Sequence, residues 1–297
     1  MDDFIKIPDF KIASEKAETT KDFQKIHDDH FIDIDEILKP QPVAISIGSS
    51  IYKGNEYPIP YGSYGDFSCI VGASKSKKTF LKSMLLASYI GGNANVYAGT
   101  IKGHNNSEKY VIDIDTEQSE FHSQRVFRRV SEMVGVNPKF YIPFSLRKLS
   151  ANERLEFIDW LFFESKYKGN IGVVSIDGVA DLINDVNDLE ASNKVAQKLL
   201  EWSAKEQCHI ITVLHRNFQS KKPTGHLGSA VLKKAETVVF VENEGEYTVV
   251  TPEYSRNQPF EIFSYSVDKN WLPYIVDDSV YDSKVANKVN SKANPKF

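Results

Sequence analysis

The chain has 297 residues, 36 basic against 40 acidic side chains, a formal net charge of −4 and a pI near 6.0, with 41% apolar and 12% aromatic residues. These values exclude a global polycation, a disordered composition and, with two cysteines, a disulfide scaffold, while the length allows one large domain or two small ones and a substantial core. The best apolar run, Met84–Ile90, is far short of the roughly 20 residues that a bilayer helix requires.

Cys69 and Cys208 both fall inside predicted strands and have no metal-ligand spacing. The opening Met1-Asp2-Asp3 lacks the basic start and apolar stretch of a secretory leader. The expectation is a reducing cytoplasm and no membrane.

Residues 1–42 read as an acidic N-terminal arm: the first forty carry eleven acidic and six basic residues and end at Pro40-Gln41-Pro42. Within it, Phe23, Ile26, Ile34, Ile37 and Leu38 fit either short amphipathic helices that dock on a neighbour or a weakly ordered tail. Residues 43–276 alternate strand and helix patterns. Strands are predicted at 67–71, 110–115, 140–142, 171–176 and 209–214, with helices at 79–90, 121–134, 152–167 and 191–207. Apolar strands spaced by amphipathic helices predict an α/β fold, a mostly parallel sheet with helices on both faces. Strands at 238–241, 247–250 and 260–267 lack intervening helices and predict a C-terminal antiparallel extension. Residues 277–297 are rich in Lys, Asn and Ser and read as a disordered polar tail.

The stretch Gly72-Ala73-Ser74-Lys75-Ser76-Lys77-Lys78-Thr79-Phe80 lies between a strand and a helix. It matches the phosphate-loop pattern G-x-x-x-x-G-K-[ST] at Gly72, Lys78 and Thr79, with Lys77 in place of the second glycine. A helix N-terminus offers unpaired N–H groups to phosphate, Lys78 adds a point charge, and Thr79 offers a hydroxyl to Mg2+. The predicted strand ending Val173-Val-Ser-Ile-Asp177 supplies a carboxylate for the same cation. At the end of another strand, Glu117 is the candidate to polarise an attacking water, with Asp115 as the alternative and a solvated turn as the plain structural reading.

These pieces together resemble the RecA-like P-loop ATPases of the RepA/KaiC/RadA branch, especially the small RepA-like ATPases of bacterial mobile elements and phages. The likeness spans about Ser68 to Val267. It is carried by Gly72–Phe80, Ile114-Asp-Thr-Glu-Gln118, Val174-Ser-Ile-Asp-Gly-Val-Ala-Asp-Leu182, Thr212-Val-Leu-His215, Gly225-His-Leu-Gly-Ser229, Ala235-Glu-Thr-Val238 and Ser255-Arg-Asn257. The resemblance implies a RecA-like core that binds ATP and Mg2+, with Glu117 as catalytic glutamate and Asp177 as the Walker B aspartate. His215 would sense the γ-phosphate, unless it only caps its strand. Arg256 would reach a neighbouring subunit's nucleotide, unless it is a surface arginine.

The loop after His215 resembles the group's DNA-facing loop. Residues 215–234 hold Arg216, Lys221, Lys222, Lys233 and Lys234 without an acid, and Phe218 could stack on a base. A solvated surface loop is the competing reading. The implied function is an ATPase, helicase-like, acting on single-stranded or duplex DNA in replication or mobilisation, as a homo-oligomeric ring or filament. The alternative is a nucleotide-gated regulatory or structural ring that binds a protein partner with little turnover.

Overall fold

Strands buried on both faces must be apolar throughout, and the strongest such runs in this chain form the centre of one large sheet. The computed structural model describes residues 22–92, 95–105, 107–216 and 225–276. The segments 1–21 and 277–297 lie outside them, including the tail expected to be disordered. The chain divides into two compact units, Met1–Pro40 and Gln41–Phe297.

In the first unit, helix α1 (Phe23–His30) begins at Asp22, whose carboxylate accepts a hydrogen bond from the Lys25 N–H at 3.1 Å. Of the apolar positions read either as short helices or as a weakly ordered tail, Phe23 and Ile26 lie on this helix, while Ile34, Ile37 and Leu38 lie beyond its end.

The second unit opens with β1 (Val43–Tyr52) and β2 (Asn55–Ser63), followed by β3 (Phe67–Gly72), α2 (Lys78–Gly91) and β4 (Ile101–Gly103). Strands β2, β1 and β4 pair antiparallel, in that order, as a small sheet that sequence patterning did not anticipate. Pro58 and Pro60 in β2 and the serines of β1 break the apolar alternation, and β2 tolerates its prolines because it is an edge strand.

Next come β5 (Tyr110–Asp115), α3 (Glu120–Val134), β6 (Tyr141–Ser145), α4 (Ala151–Phe163), β7 (Ile171–Asp177), a 3-10 turn (Val179–Leu182), α5 (Leu189–Glu206), β8 (His209–His215) and α6 (Gly225–Lys234). The chain then forms β9 (Thr237–Asn243), β10 (Thr248–Ser255), β11 (Phe263–Val267) and β12 (Pro273–Val276). These build a nine-stranded sheet in the order β12-β11-β10-β9-β3-β8-β7-β5-β6. From β9 to β6 every pairing is parallel; β9, β10, β11 and β12 pair antiparallel. The fold is thus α/β, with a large mostly parallel sheet flanked by helices and a C-terminal antiparallel part.

Side chains alternate between two cores. Ile70, Val111, Val173, Ile211 and Val239 pack with α2, α3 and the small sheet. Cys69, Ile112, Val174, Ile210 and Val238 pack with α4, α5 and α6 on the other face. There the rings of Phe162 and Trp202 stack at 5.4 Å between centroids.

Several expectations are corrected. Helix α4 stops at Phe163 rather than 167, because Glu164, its C-cap, leaves the helical region (φ −131°) and the chain turns through Gly169 at φ 76°. The last antiparallel strand expected at 260–267 starts at Phe263, and β12 adds a further strand. Cys208 precedes β8 instead of lying in a strand; both cysteines are buried and free. Residues 225–234, expected as loop, form α6, because Leu227, Ala230 and Val231 bury one helical face and Gly228 lies within it. No helix among the described residues is long and apolar enough to cross a membrane.

Candidate functional site

Parallel pairing puts the carboxyl ends of β3, β5, β7 and β8 on one edge of the sheet, where ligand sites of open α/β sheets lie. Gly72 is level with His215, and Asp115 with Asp177. Four short sequences far apart in the chain therefore meet at one place.

The segment between β3 and α2 wraps tightly. A β-carbon at Gly72 would stand 2.4 Å from Ser76 Oγ and 2.6 Å from the Val241 carbonyl oxygen, so only glycine fits there. Lys77, at the position where the motif asks for glycine, takes the left-handed conformation (φ 69°, ψ 20°) and caps α2 without a side-chain hydrogen bond. Its carbonyl accepts from the Tyr265 hydroxyl at 2.8 Å and from the Phe80 N–H at 2.9 Å. Lys77 thus adopts a backbone conformation that glycine takes without strain.

Lys78 is buried, and its Nζ donates to the Gly72 and Ala73 carbonyls at 3.1 and 2.8 Å. Burial lowers its pKa, against the opposing pull of Asp177 and Glu117. Nζ also lies 3.2 Å from His215 Nδ1. An ammonium only donates, so with Lys78 charged Nδ1 accepts and the proton of neutral His215 resides on Nε2. That Nε2 lies 3.3 and 3.4 Å from the two Glu117 oxygens. The hydrogen bond from His215 holds the Glu117 carboxyl below its usual range, against partial burial, and the charge of Lys78 adds to the effect.

Asp177 is buried, and its Oδ2 has no hydrogen-bond partner. Burial raises its pKa; Lys82 opposes this, while Asp115, Glu117 and Asp113 reinforce it. The hydroxyl of Ser76 is also buried and unpartnered. Asp115, the alternative water-polarising group, is engaged structurally: it accepts from the Glu117 and Gln118 N–H groups, the Gln118 side chain and Ser123. Its role is to shape the turn that presents Glu117. Thr116 pins this turn to the 3-10 turn that follows β7 by donating to Asp181 at 2.8 Å, beside Gly178, whose φ of 101° and close approach to Thr116 admit no β-carbon.

Beneath the site is a charge network that sequence reading missed. Lys82, one helical turn beyond Lys78, is fully buried and donates to Asp113 at 2.8 Å, with Asp177 Oδ2 at 3.6 Å. Asp113 also accepts from Ser175 and, at 2.7 Å, from the Tyr141 hydroxyl. The available signals were a lysine on the apolar helix that follows the loop and an aspartate inside an apolar strand. Arg129 on α3 was missed too. Its guanidinium lies 3.8 Å from the Phe80 ring centroid, with Nη1 buried and unpartnered, and burial lowers its pKa to about 10.

A cavity of about 250 Å³ joins Lys75, Thr79, Glu117, Arg129, Asp177 and His215. A larger cavity of about 910 Å³ lies at Leu232, Tyr254, Arg256 and Pro259. The smaller one marks the site, because it gathers the buried unpartnered oxygens and the ammonium that a phosphate and a cation would engage. No cluster of three or more His, Cys, Asp or Glu side chains among the described residues is placed to hold a metal ion. A cation here fits Mg2+ best, because Mg2+ takes one or two carboxylates and completes its shell with phosphate and water oxygens.

Other predicted residues are not gathered at this edge. Arg256 donates to Asp66 at 2.9 Å and to the Lys234 carbonyl at 2.6 Å. Asp66 precedes β3, so Arg256 belongs to the opposite edge of the sheet. Arg216 does adjoin the site: its N–H bonds the Gly72 carbonyl and its guanidinium pairs with Glu242 at 3.0 Å. Lys233 and Lys234 end α6, where cations complement the helix dipole. Phe218, Lys221 and Lys222 lie outside the described residues. Comparison of the chain with protein-family models and with curated proteins gave no match.

Proposed function

We propose that this chain is a RecA-like ATPase that binds and hydrolyses Mg-ATP and acts on DNA in the replication or mobilisation of a mobile element or phage, as a cytoplasmic homo-oligomer. The observation that carries the reading is the meeting of Lys78, Asp177 and the Glu117–His215 pair around a tightly wrapped strand–loop–helix at the carboxyl edge of a parallel sheet. Such an edge, with helix N–H groups and a lysine, suits an anionic phosphate chain.

In this reading Lys78 exchanges the Gly72 and Ala73 carbonyls for phosphate oxygens, which are stronger acceptors for an ammonium. Thr79 and Asp177 would hold Mg2+, which when bound neutralises charge on the phosphates. Glu117, kept ionised by its neighbours, orients a water and accepts its proton. His215 links Lys78 to Glu117, so a change of the Lys78 partner is transmitted to the base. Arg256 would contribute only across a subunit boundary. DNA would be met by the basic segment from Arg216 to Lys234.

Two variants test this. Lys78→Ala should lose binding of a fluorescent ATP analogue while keeping its circular dichroism spectrum. Glu117→Gln should bind the analogue as wild type does and release phosphate about 10²-fold or more slowly, the usual contribution of a general base. Unchanged binding by folded Lys78→Ala would refute the phosphate site. Tight binding by wild type without turnover, with or without single-stranded DNA, would favour a nucleotide-gated ring that acts on a protein partner.

A further inference from the structure

We propose that Lys82 is the resident counter-ion of the cation site: it balances Asp177 while no cation is present, so that a divalent cation enters only together with phosphate. The inference rests on the reading of Asp177 as a cation ligand given above.

Lys82 is a side chain without access to solvent, on the same helix and one turn beyond the lysine that faces the loop. An ammonium buried this completely costs several kcal/mol of hydration unless opposite charge surrounds it. Asp113 at 2.8 Å and Asp177 Oδ2 at 3.6 Å supply that opposite charge. The Phe127 ring, 5.9 Å from Nζ, adds weak support on the remaining side.

The two nearest carboxylates are bound differently. Asp113 has both oxygens hydrogen-bonded: one takes Lys82 and Ser175, the other takes Tyr141. It therefore serves as the fixed anchor of Lys82. Asp177 Oδ2 feels Lys82 through charge alone, at 3.6 Å, and has no hydrogen bond from any group. An oxygen balanced by charge but not tied by a directional bond can turn to a new ligand without breaking one.

Charge balance then sets the order of events. Asp113, Asp115 and Asp177 face Lys82, and Asp115 is already served by backbone and side-chain donors. With Lys82 present, a free divalent cation would meet one ligand carboxylate and a nearby ammonium that repels it. Phosphate oxygens supply the missing negative charge and ligands together. Without Lys82, Asp113 and Asp177 would form a buried pair of uncompensated carboxylates, a binding place for a free cation.

The test uses the full chain and Mn2+, whose binding is read from the loss of the aqueous electron paramagnetic resonance signal. Wild type should show saturable uptake with a non-hydrolysable ATP analogue and none without it. Lys82→Met, close in volume and uncharged, should take up Mn2+ in the absence of nucleotide, with affinity increased about tenfold or more. Lys82→Met/Asp113→Asn, which removes both members of the ion pair, should return towards wild type. If Lys82→Met does not fold, Asp113→Asn serves. It leaves Lys82 to Asp177 alone and should weaken Mn2+ uptake in the presence of the analogue, while analogue binding in chelator is unchanged.

Saturable uptake by wild type without nucleotide, matching that with it, overturns the counter-ion role and leaves the site reading intact. Equal uptake by wild type and folded Lys82→Met overturns it as well, and so does an Asp113→Asn variant that takes up Mn2+ as wild type does. No uptake by wild type even with the analogue refutes the reading of Asp177 as a cation ligand.

Discussion

Replacing Lys77 by glycine should stabilise the protein. The residue stands at φ 69° and ψ 20°, the left-handed region, where an L-residue with a β-carbon is strained by roughly 1–2 kcal/mol. Glycine relieves that strain but enlarges the freedom of the unfolded chain, which costs roughly 0.5–1 kcal/mol. The contacts of the position belong to its carbonyl, which accepts from Tyr265 and Phe80 and is unchanged by the substitution. The net gain is about 0.5–1 kcal/mol, equivalent to a rise of about 1–4 °C in Tm for a domain of this size. Urea unfolding and thermal melting measure it directly. Lys77→Ala is the control: it deletes the ammonium, retains the β-carbon and should leave stability nearly unchanged. If strain also limits the site, ATP turnover in Lys77→Gly should equal or exceed wild type. A less stable Lys77→Gly would refute the strain argument, and a stable but inactive one would show that the Lys77 ammonium itself meets the phosphates.

His209 should make stability fall with pH. It is fully buried between Ser68 and the Ser63 carbonyl, and burial pushes its imidazole down to about 4. Between its unfolded pKa near 6.5 and that value the unfolded chain binds a proton that the folded chain refuses, so stability is lost as pH falls, by up to about 3 kcal/mol. Urea unfolding at pH 7 and pH 5 should show the drop in wild type and a shallower one in His209→Gln; equal slopes would refute the assignment. For nucleic acid, Lys221→Ala/Lys222→Ala and, separately, Lys233→Ala/Lys234→Ala should each lower the salt slope of single-stranded DNA binding by about 1.4 if both lysines meet phosphate. Fluorescence anisotropy across a salt series reads the slope, and unaltered slopes would transfer the partner role to protein.

The core strands were legible because a strand buried on both faces leaves a continuous apolar run, as in Val173–Ile176, and a polar residue at its end marks where the chain emerges. Asp115 and Asp177 were found by that logic, Gly72 by the loop motif and His215 through the family resemblance, and parallel pairing explains why strand ends so distant in sequence meet. Helix α6 was misread because Gly225 and Gly228 look like loop residues, whereas the burial of Leu227 and Val231 against α5 and the sheet decides for helix. The small sheet of β1, β2 and β4 escaped notice because its prolines and serines are tolerable only at the edge and face it occupies. Lys82 and Asp113 carry no local mark of their partnership. They are 31 residues apart, and Arg256 and Asp66 are 190 apart. Periodicity along the chain determines which side of an element is buried, since that depends on near neighbours alone. Which charges share a buried space depends on strand order, with β3 between β8 and β9, and that order arises only when the whole sheet assembles.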